Sequence, residues 1–393
     1  MYLILLAVAV LRPHSSPPAD EVRALFGNGS LADGIRNLVL FAPLGAGLVA
    51  SGRSVRAAIA LSMGLSLAIE LTQLIIPGRI ASPIDLLSNT LGASLGAYLA
   101  IYCGDLMRPT PRMGVRLSLG ATALSTGLIL TAAWLLQPVY PSTTYYGGWT
   151  LDLGHMTHYA GRVSAARVGP IELEAGGPVL DSIALRRELS RGSPIRVRAI
   201  AGTPPVGLAP LVTIHDEAQR EILLLGINGH DLVFRRYLRA TEFGFETPAQ
   251  AVFGALDGLS TGDTFDLTLN ADDRGHVLRI ANQEPSPIHW TPGHTWALLS
   301  PLSPLPRPLA RVLDASWMAL LVFPAAYWAR RRVACWLALA LGLGVIAVSF
   351  AIGNLGPLPG WEWAGASLGA AAGLLGAKRS ARSIESAVSP KES

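Results

Sequence analysis

Residues 117–137 read LSLGATALSTGLILTAAWLLQ, an apolar stretch without a charged residue. A transmembrane helix needs about 20 consecutive, predominantly apolar residues, so this stretch predicts a membrane-spanning helix. Residue 138 begins a long region that is polar and rich in short alternating patterns. The change at residue 138 therefore predicts both parts of the fold, which are helices in a membrane and a water-soluble domain inserted between them.

The composition of the whole chain agrees with a membrane protein. Half of the 393 residues are hydrophobic and only 15% are charged, against about 25% charged residues in soluble globular proteins. The net charge is only +4, and the basic residues are nearly all arginines that lie mostly at the ends of apolar blocks. A nucleic-acid-binding protein would instead cluster its basic residues on one soluble face, so we expect no nucleic-acid partner.

Further apolar blocks predict an α-helical polytopic membrane protein with about eight transmembrane helices. The predicted spans are 2–12 (short), 36–51, 57–76, 84–103, 117–137, 309–328, 333–352 and 361–377. The second and the last are rich in Gly and Ala and are only just long enough. An alternative with seven spans omits 2–12 and changes only the side on which the N-terminus lies.

Arginine and lysine residues in short loops predict the orientation, because basic loops stay on the cytoplasmic side of a membrane. The basic clusters lie at 53–56, 108–116, 330–332 and 378–382. With eight spans, all of these clusters and both termini are cytoplasmic, and the soluble region is extracytoplasmic. The predicted domains are an N-terminal helical membrane domain (1–137), an extracytoplasmic domain (138–308), C-terminal transmembrane helices (309–377) and a disordered cytoplasmic tail (378–393).

The soluble region has the patterns of an all-β jelly-roll sandwich. Strands are predicted at 195–200, 265–270, 277–280 and 296–299. Asn228-Gly229 separates two apolar runs, which is a strong signal for a β-hairpin. A short helix near 248–256 is the only helix that we expect in this region.

Polar residues in the first spans form a candidate binding site, because ionisable and amide side chains inside a membrane are costly and often functional. Asp85, Asn89 and Gly92 share one helical face, since residues three and four apart are neighbours on a helix. We expect the polar residues to converge near the outer side of the membrane. The predicted cluster is Asn37, Glu70, Gln73, Arg79, Asp85 and Asn89.

Structural roles are the alternatives for the same residues. Ser82 to Asp85 is a good helix start, with Ser82 as the cap and Asp85 as the acid of a capping box. Arg79 can pair with Glu70 or Asp85 merely to neutralise a buried charge, and the two asparagines can join helices by hydrogen bonds. The predicted helix-packing positions are Pro43, Gly45, Gly92 and Gly96.

The order of these residues resembles the VanZ-like family. The resemblance covers about residues 30–103 and implies a compact helical membrane domain with a polar cluster, without specifying a chemistry. The matching pieces are Asn37…Pro43-Leu44-Gly45, Ile69-Glu70-Leu71-Thr72-Gln73, Gly78-Arg79 and Ile84-Asp85-Leu86-Leu87-Ser88-Asn89-Thr90-Leu91-Gly92.

Segments 211–216, 221–235 and 265–270 resemble strands of concanavalin A-like and laminin-G-like jelly rolls. The resemblance implies carbohydrate binding, in some members with calcium, and we expect no other cofactor and no metal centre. The predicted glycan-binding residues are Arg235, Tyr237 and Trp290, because arginine can meet an anionic glycan and aromatic rings can stack on sugars. The alternatives are a solvated strand edge for the arginine and core packing for the aromatic residues.

Two functional hypotheses follow. The first is an integral membrane protein of the bacterial cell envelope, in contact with membrane lipid, whose external domain binds a glycan or a partner protein. The alternative is a membrane enzyme or transporter that acts on a lipid-linked envelope precursor through Glu70, Arg79 and Asp85. No P-loop, dinucleotide fingerprint, zinc-ligand spacing or nucleophile-base pair is present, which favours the non-enzymatic hypothesis. Asp314 and Glu362 lie near the ends of later spans, where we expect structural roles.

Overall fold

The computed structural model describes residues 31–75, 82–150, 156–272, 275–280, 284–300, 305–329, 344 and 355–388. These residues fall into two compact units. The first contains the residues up to Arg112 together with Phe243–Phe245 and the residues from Arg379. The second contains Met113–Glu242 and Glu246–Lys378.

The first unit is helical. Ser54 starts the second helix, because its side chain accepts a hydrogen bond from Ala57 N at 3.2 Å, which satisfies one of the free N–H groups at a helix start. Gly52, with φ of 89°, makes the turn before it. The helices are α1 (Leu31–Ala50), α2 (Val55–Gln73), α3 (Pro83–Ile101) and the short α4 (Cys103–Met107).

The second unit contains the long helix α5 (Pro111–Leu135) from Met113 onward, followed by a β-sandwich. The strands are β1 (Tyr145–Trp149), β2 (Arg162–Val168), β3 (Ile171–Leu173), β4 (Gly176–Pro178), β5 (Ile195–Ile200), β6 (Leu208–Asp216), β7 (Glu221–Asn228), β8 (Asp231–Arg236), β9 (Gln250–Val252), β10 (Thr264–Asp272), β11 (Gly275–Ile280) and β12 (Ser286–His289). Short helices are α6 (Ser182–Ser190), α7 (Arg239–Glu242) and a 3₁₀ helix (Pro292–Leu299).

The strands form two six-stranded antiparallel sheets, ordered β4-β1-β6-β7-β8-β9 and β12-β11-β10-β5-β2-β3. Alternation decides which side chains enter the core between the sheets. In β5, Ile195, Val197 and Ala199 are buried, whereas Arg196 and Arg198 are exposed. Complete burial of an aliphatic side chain of this size contributes about 1.5–3 kcal/mol, so the strand is held in one register.

The predicted hairpin at Asn228-Gly229 is confirmed. Asn228 pairs with Asp231, and Gly229 has φ of 62°, a conformation that glycine adopts without strain. The strands predicted at 195–200, 265–270 and 277–280 are also confirmed.

Other local predictions in this region are wrong. Residues 296–299 belong to the 3₁₀ helix and 248–256 contain β9 rather than a helix, because short apolar runs carry too little periodicity to distinguish strand from helix. The sequence analysis missed α6. Its signals are Asp181, whose side chain accepts from Ala184 N at 2.8 Å, and the buried Leu185 and Leu189, four residues apart.

Two further helices complete the second unit, α8 (Arg307–Trp328) and α9 (Gly360–Val388) as far as Lys378. Ser118 Oγ and Ser125 Oγ of α5 donate to Ala325 O at 2.7 Å and Leu321 O at 2.8 Å in α8. Glycines of α9 lie directly against the α8 backbone, so the two helices approach closely. The glycines are Gly365, Gly369 and Gly373, and their neighbours are Ala315, Ala319 and Phe323.

Within the described part of the chain, five helices are long and apolar enough to cross a membrane, by length and composition: α1, α2, α3, α5 and α8. The prediction of about eight spans is therefore not supported. The predicted spans 2–12 and 333–352 lie outside the described residues, apart from Gly344. The predicted span 361–377 lies in α9, which is not among the five. Its glycines, Glu362 and Lys378 lower the mean hydropathy of this helix. This helix also extends past residue 378, where the tail was predicted to begin.

A buried histidine predicts a pH-dependent stability of the sandwich. Burial, together with the charge of Arg236, lowers the pKa of His276 to about 3, against about 6.5 in an unfolded chain. Between these values the unfolded chain binds more protons, so stability falls as the pH falls from about 6.5 to 3, by up to about 1.4 kcal/mol per pH unit.

The measurement is the thermal unfolding of the purified full-length protein between pH 7 and pH 5. His276→Phe should flatten the pH dependence, because the replacement ring does not titrate and still packs beside Phe234. An unchanged slope in this variant would show that other groups cause the acid sensitivity.

Candidate functional site

The predicted polar cluster lies where α1, α2 and α3 meet. Asn37 Nδ2 donates to Asp85 Oδ1 at 2.9 Å and thereby joins α1 to α3. Asn89 Nδ2 donates to Ser66 Oγ at 2.9 Å in a buried position and joins α3 to α2. Amide hydrogen bonds of this kind hold helices together in a membrane, so these contacts fit the structural alternative for the two asparagines.

At the start of α3, Glu70 accepts the hydrogen bond that was predicted for Asp85. Ser82 is the cap residue, but its side chain makes no capping hydrogen bond. Its backbone N donates to Glu70 Oε2 of α2 at 2.8 Å. The predicted capping box is therefore wrong, because a neighbouring helix supplies the acceptor. Gln73 is buried on α2, and Arg79 lies outside the described residues.

Glycines let α1 and α3 approach to backbone contact. A Cβ atom on any of three glycines would overlap the backbone of the facing helix, so larger side chains do not fit there. The pairs are Gly45 with Ala93, Gly92 with Leu38, and Gly96 with Ala42. Pro43 lies inside α1 with an exposed side chain.

A cavity of about 590 Å³ lies in the second unit, at one edge of the sandwich. Its walls are β9 and β12, which are edge strands of different sheets, the 3₁₀ helix, the N-terminal part of α8 and residues 357–361. Most of the lining is apolar or aromatic. Cavities of this size and character are typical of small-molecule sites.

A buried carboxylate, Asp314 of α8, fixes one wall of the cavity. Its side chain accepts hydrogen bonds from Trp296 Nε1 at 2.9 Å and Trp361 Nε1 at 3.4 Å, and His294 Nδ1 lies 3.0 Å from Oδ1. A carboxylate can only accept, so His294 carries its proton on Nδ1 in this contact. Trp290 stacks on His294, with ring centroids 5.8 Å apart. Asp314 thus ties the 3₁₀ helix to α8 and α9.

A second buried carboxylate, Glu362, fixes the start of α9. Thr291 Oγ1 and Gly293 N donate to its two oxygens, the latter at 2.8 Å. A Cβ atom on Gly293 would overlap the Glu362 carboxyl group, so glycine is required for this approach. Asp314 and Glu362 together join the elements that form the cavity walls.

The cavity lining contains nitrogen donors without partners. Gln250 and Trp290 expose only 6% and 5% of their surface. Their side-chain nitrogens, Nε2 and Nε1, are buried and have no hydrogen-bond partner among the described residues. Arg307 and Arg311 also line the cavity. Their guanidinium groups lie over aromatic rings, 5.8 Å and 4.6 Å from the centroids, and form no ion pair with any described carboxylate.

This arrangement can bind a ligand that has an apolar body and an anionic or oxygen-rich head. A buried donor without a partner costs about 1–3 kcal/mol, and an acceptor on a ligand would recover that free energy. The arginines add positive charge, and guanidinium groups bind carboxylates and phosphates well.

The predicted glycan-binding residues do not all line the cavity. Trp290 lines the cavity. Arg235 forms an ion pair with Glu221 at 2.7 Å, and Tyr237 is buried in the core with Arg220 over its ring. Neither of these two lines the cavity.

The sequence analysis missed most of the cavity residues. Asp314 and Glu362 were expected to have structural roles, and the structure does show them joining elements. His294, Gln250 and Arg311 carried no local motif. The available signal was the spacing of tryptophans around two acids near the ends of apolar blocks, at 290, 296, 317, 361 and 363.

No metal site was found in the part of the chain that the structure describes: no group of three or more His, Cys, Asp or Glu side chains is placed to hold an ion. Near the turn after β10, Asp272 Oδ2 lies 2.8 Å from His289 Nε2. The neighbouring Asp273 and Arg274 lie outside the described residues.

Comparison with protein families found a match to the VanZ/LLP1 family over residues 1–106. No curated protein and no solved structure matched significantly. The family match contains α1, α2 and α3 with their polar contacts, and it ends before the cavity begins. The chain therefore combines a VanZ-like, membrane-associated domain with a β-sandwich domain.

Proposed function

We propose that this chain is a membrane-anchored binding protein of the cell envelope, and that an anionic amphiphile binds in the cavity at the sandwich edge. A lipid-linked glycan is the envelope molecule that combines these properties. The observation that carries the proposal is the presence of unpartnered donors and two arginines in a cavity whose lining is mostly apolar. The lining carboxylate, Asp314, already accepts hydrogen bonds from Trp296 and Trp361. A cavity that served packing alone would have no use for such donors.

The position of the cavity in the fold supports an amphiphilic ligand. Arg307 and Arg311 lie in the first turns of α8, one of the candidate membrane helices. Arginine near the end of a membrane helix usually reaches the interface between lipid and water. A ligand whose apolar chain enters the cavity from the lipid and whose head group meets the arginines fits this place.

Substitution of Gln250 by Leu should change binding and stability in opposite directions. Leucine removes the unpartnered amide, so the unfolding free energy should rise by about 1 kcal/mol. Affinity for the ligand should fall about tenfold, because one hydrogen bond to the head group is lost. The protein is titrated in lipid nanodiscs with farnesyl phosphate, with tryptophan fluorescence as the readout and neutral farnesol as the control ligand.

Two tryptophan substitutions provide a matched control. Trp290→Phe removes a donor without a partner, so it should weaken binding with little loss of stability. Trp296→Phe removes a donor that serves Asp314, so it should lower stability. Equal binding of farnesyl phosphate by Gln250→Leu, Trp290→Phe and the parent protein would contradict the proposal.

We further propose that the sandwich faces the outside of the cell membrane, as the basic loops indicate. Ser164, exposed on β2, tests this topology. In a background with both cysteines replaced by serine, Ser164→Cys should react with a membrane-impermeant maleimide on intact cells. Labelling only after the cells are made permeable would place the sandwich in the cytoplasm.

The remaining functional hypotheses stay predictions. Glycan binding through Arg235 and Tyr237, binding of a partner protein, and a calcium site in the sandwich have no described contact in their favour. An enzyme or transporter that uses Glu70, Arg79 and Asp85 is the alternative function. The contacts of Glu70 with Ser82 and of Asp85 with Asn37 join helices, and this gives the alternative no support.

A further inference from the structure

Three arginines lie on one rung of the outer face of the second sheet. Arg167 of β2 is opposite Arg196 of β5, Arg196 is opposite Thr268 of β10, and Thr268 is opposite Arg279 of β11. All three arginines are exposed. Neighbouring strands lie about 4.8 Å apart, so the arginines form a line about 14 Å long across the sheet.

Within the described ranges, none of the three arginines forms an ion pair or a side-chain hydrogen bond, although Glu172 of β3 is the cross-strand neighbour of Arg167 on the far side from Arg196. Arg198 differs, because its Nε donates to Asp266 Oδ1 at 2.8 Å. Like charges directly opposite one another destabilise a sheet. Arg196 has Arg167 opposite it on one side and the neutral Thr268 on the other, so its position is unfavourable unless an anion from outside the chain neutralises it.

The chemistry around the line favours one kind of polyanion. The described outward positions on β2, β5, β10 and β11 carry no aromatic ring on which nucleic-acid bases could stack. Thr268 and Asn270 offer hydrogen bonds that suit sugar hydroxyl groups. Glu172, opposite Arg167, and Asp266 would repel a broad anionic membrane surface. A narrow chain lying along the arginines avoids Asp266.

We propose that this outer face is a docking surface for a linear polysaccharide that carries carboxylate groups. Arg167, Arg196 and Arg279 bind its carboxylates, and the neighbouring hydroxyl and amide side chains contact its sugars. The arginines of this surface do not line the cavity, and the polysaccharide is a larger ligand than the one proposed for the cavity. Neither proposal depends on the other.

The test uses the full-length protein in nanodiscs of zwitterionic lipid and polygalacturonate as the probe. The protein should bind it, and binding should weaken steeply as salt is added, because salt screens exposed charges. Arg167→Gln/Arg196→Gln should lower the affinity about tenfold or more. Its melting temperature should equal or exceed that of the parent, since the repulsion is removed.

The matched control is Arg187→Gln/Arg191→Gln at the C-terminal end of α6, which removes the same charge from the same unit and should leave the affinity unchanged. Four results would overturn the proposal. They are no binding of polygalacturonate at low salt, an equal loss in the control variant, equal binding of a neutral glucan, and tighter binding of oligothymidylate than of polygalacturonate.

Discussion

Asp314→Leu should lower the unfolding free energy of the second unit by about 3–5 kcal/mol. Leucine has nearly the shape of aspartate but accepts no hydrogen bond. His294, Trp296 and Trp361 would each lose the acceptor that they share in the structure. Because these three residues line the cavity, the ligand site should collapse together with the local fold.

The measurement is thermal unfolding of the full-length protein, followed by tryptophan fluorescence. Asp314→Asn keeps one acceptor oxygen and should lose much less stability. Asp257→Leu, at a carboxylate whose side chain is 73% exposed, is the control for loss of a surface charge. A melting temperature of Asp314→Leu equal to that of this control would show that Asp314 does not hold the cavity walls.

Gly96→Leu should prevent the correct packing of the VanZ-like helices. The added side chain would enter the space occupied by the backbone of Ala42 in α1. Overpacking by a few methylene groups costs about 1–3 kcal/mol, and the cost rises when backbone must move. We therefore expect a loss of more than about 3 kcal/mol, seen as aggregation or an absent melting transition after solubilisation.

Gly64→Leu on α2 is the matched control, because nothing lies within 4 Å of a Cβ atom at that position. This variant should purify and melt like the parent, or slightly above it, since leucine favours helix more than glycine does. Equal stability of the two leucine variants would contradict the close contact between α1 and α3.

Much of the fold is predictable because its signals are local. Alternation predicts β5 and β10, and Asn228-Gly229 predicts the hairpin between β7 and β8. Helix boundaries are predicted less well. The apolar block at 117–137 lies in a helix that begins at Pro111, because hydropathy marks the part that suits lipid and not the polar turns before it.

The cavity is not predictable in the same way, because its residues come from distant segments. Gln250, Trp290, Arg311 and Trp361 meet only when two sheet edges, a 3₁₀ helix and two long helices have packed. None of these residues belongs to a motif of its own. The polar cluster of the first unit was easier to identify, since its members interrupt apolar helices and spacing alone indicates which of them share a face.

The central claim is that an anionic amphiphile occupies the cavity, and site-directed photocrosslinking tests it most directly. The full-length protein in nanodiscs is irradiated with a farnesyl phosphate analogue that carries a diazirine on its apolar chain, and labelled peptides are mapped by mass spectrometry. The account predicts adducts within 249–253, 286–296 and 357–361 that unlabelled farnesyl phosphate displaces. Adducts confined to α1, α2 and α3, or adducts that the unlabelled ligand does not displace, would contradict it.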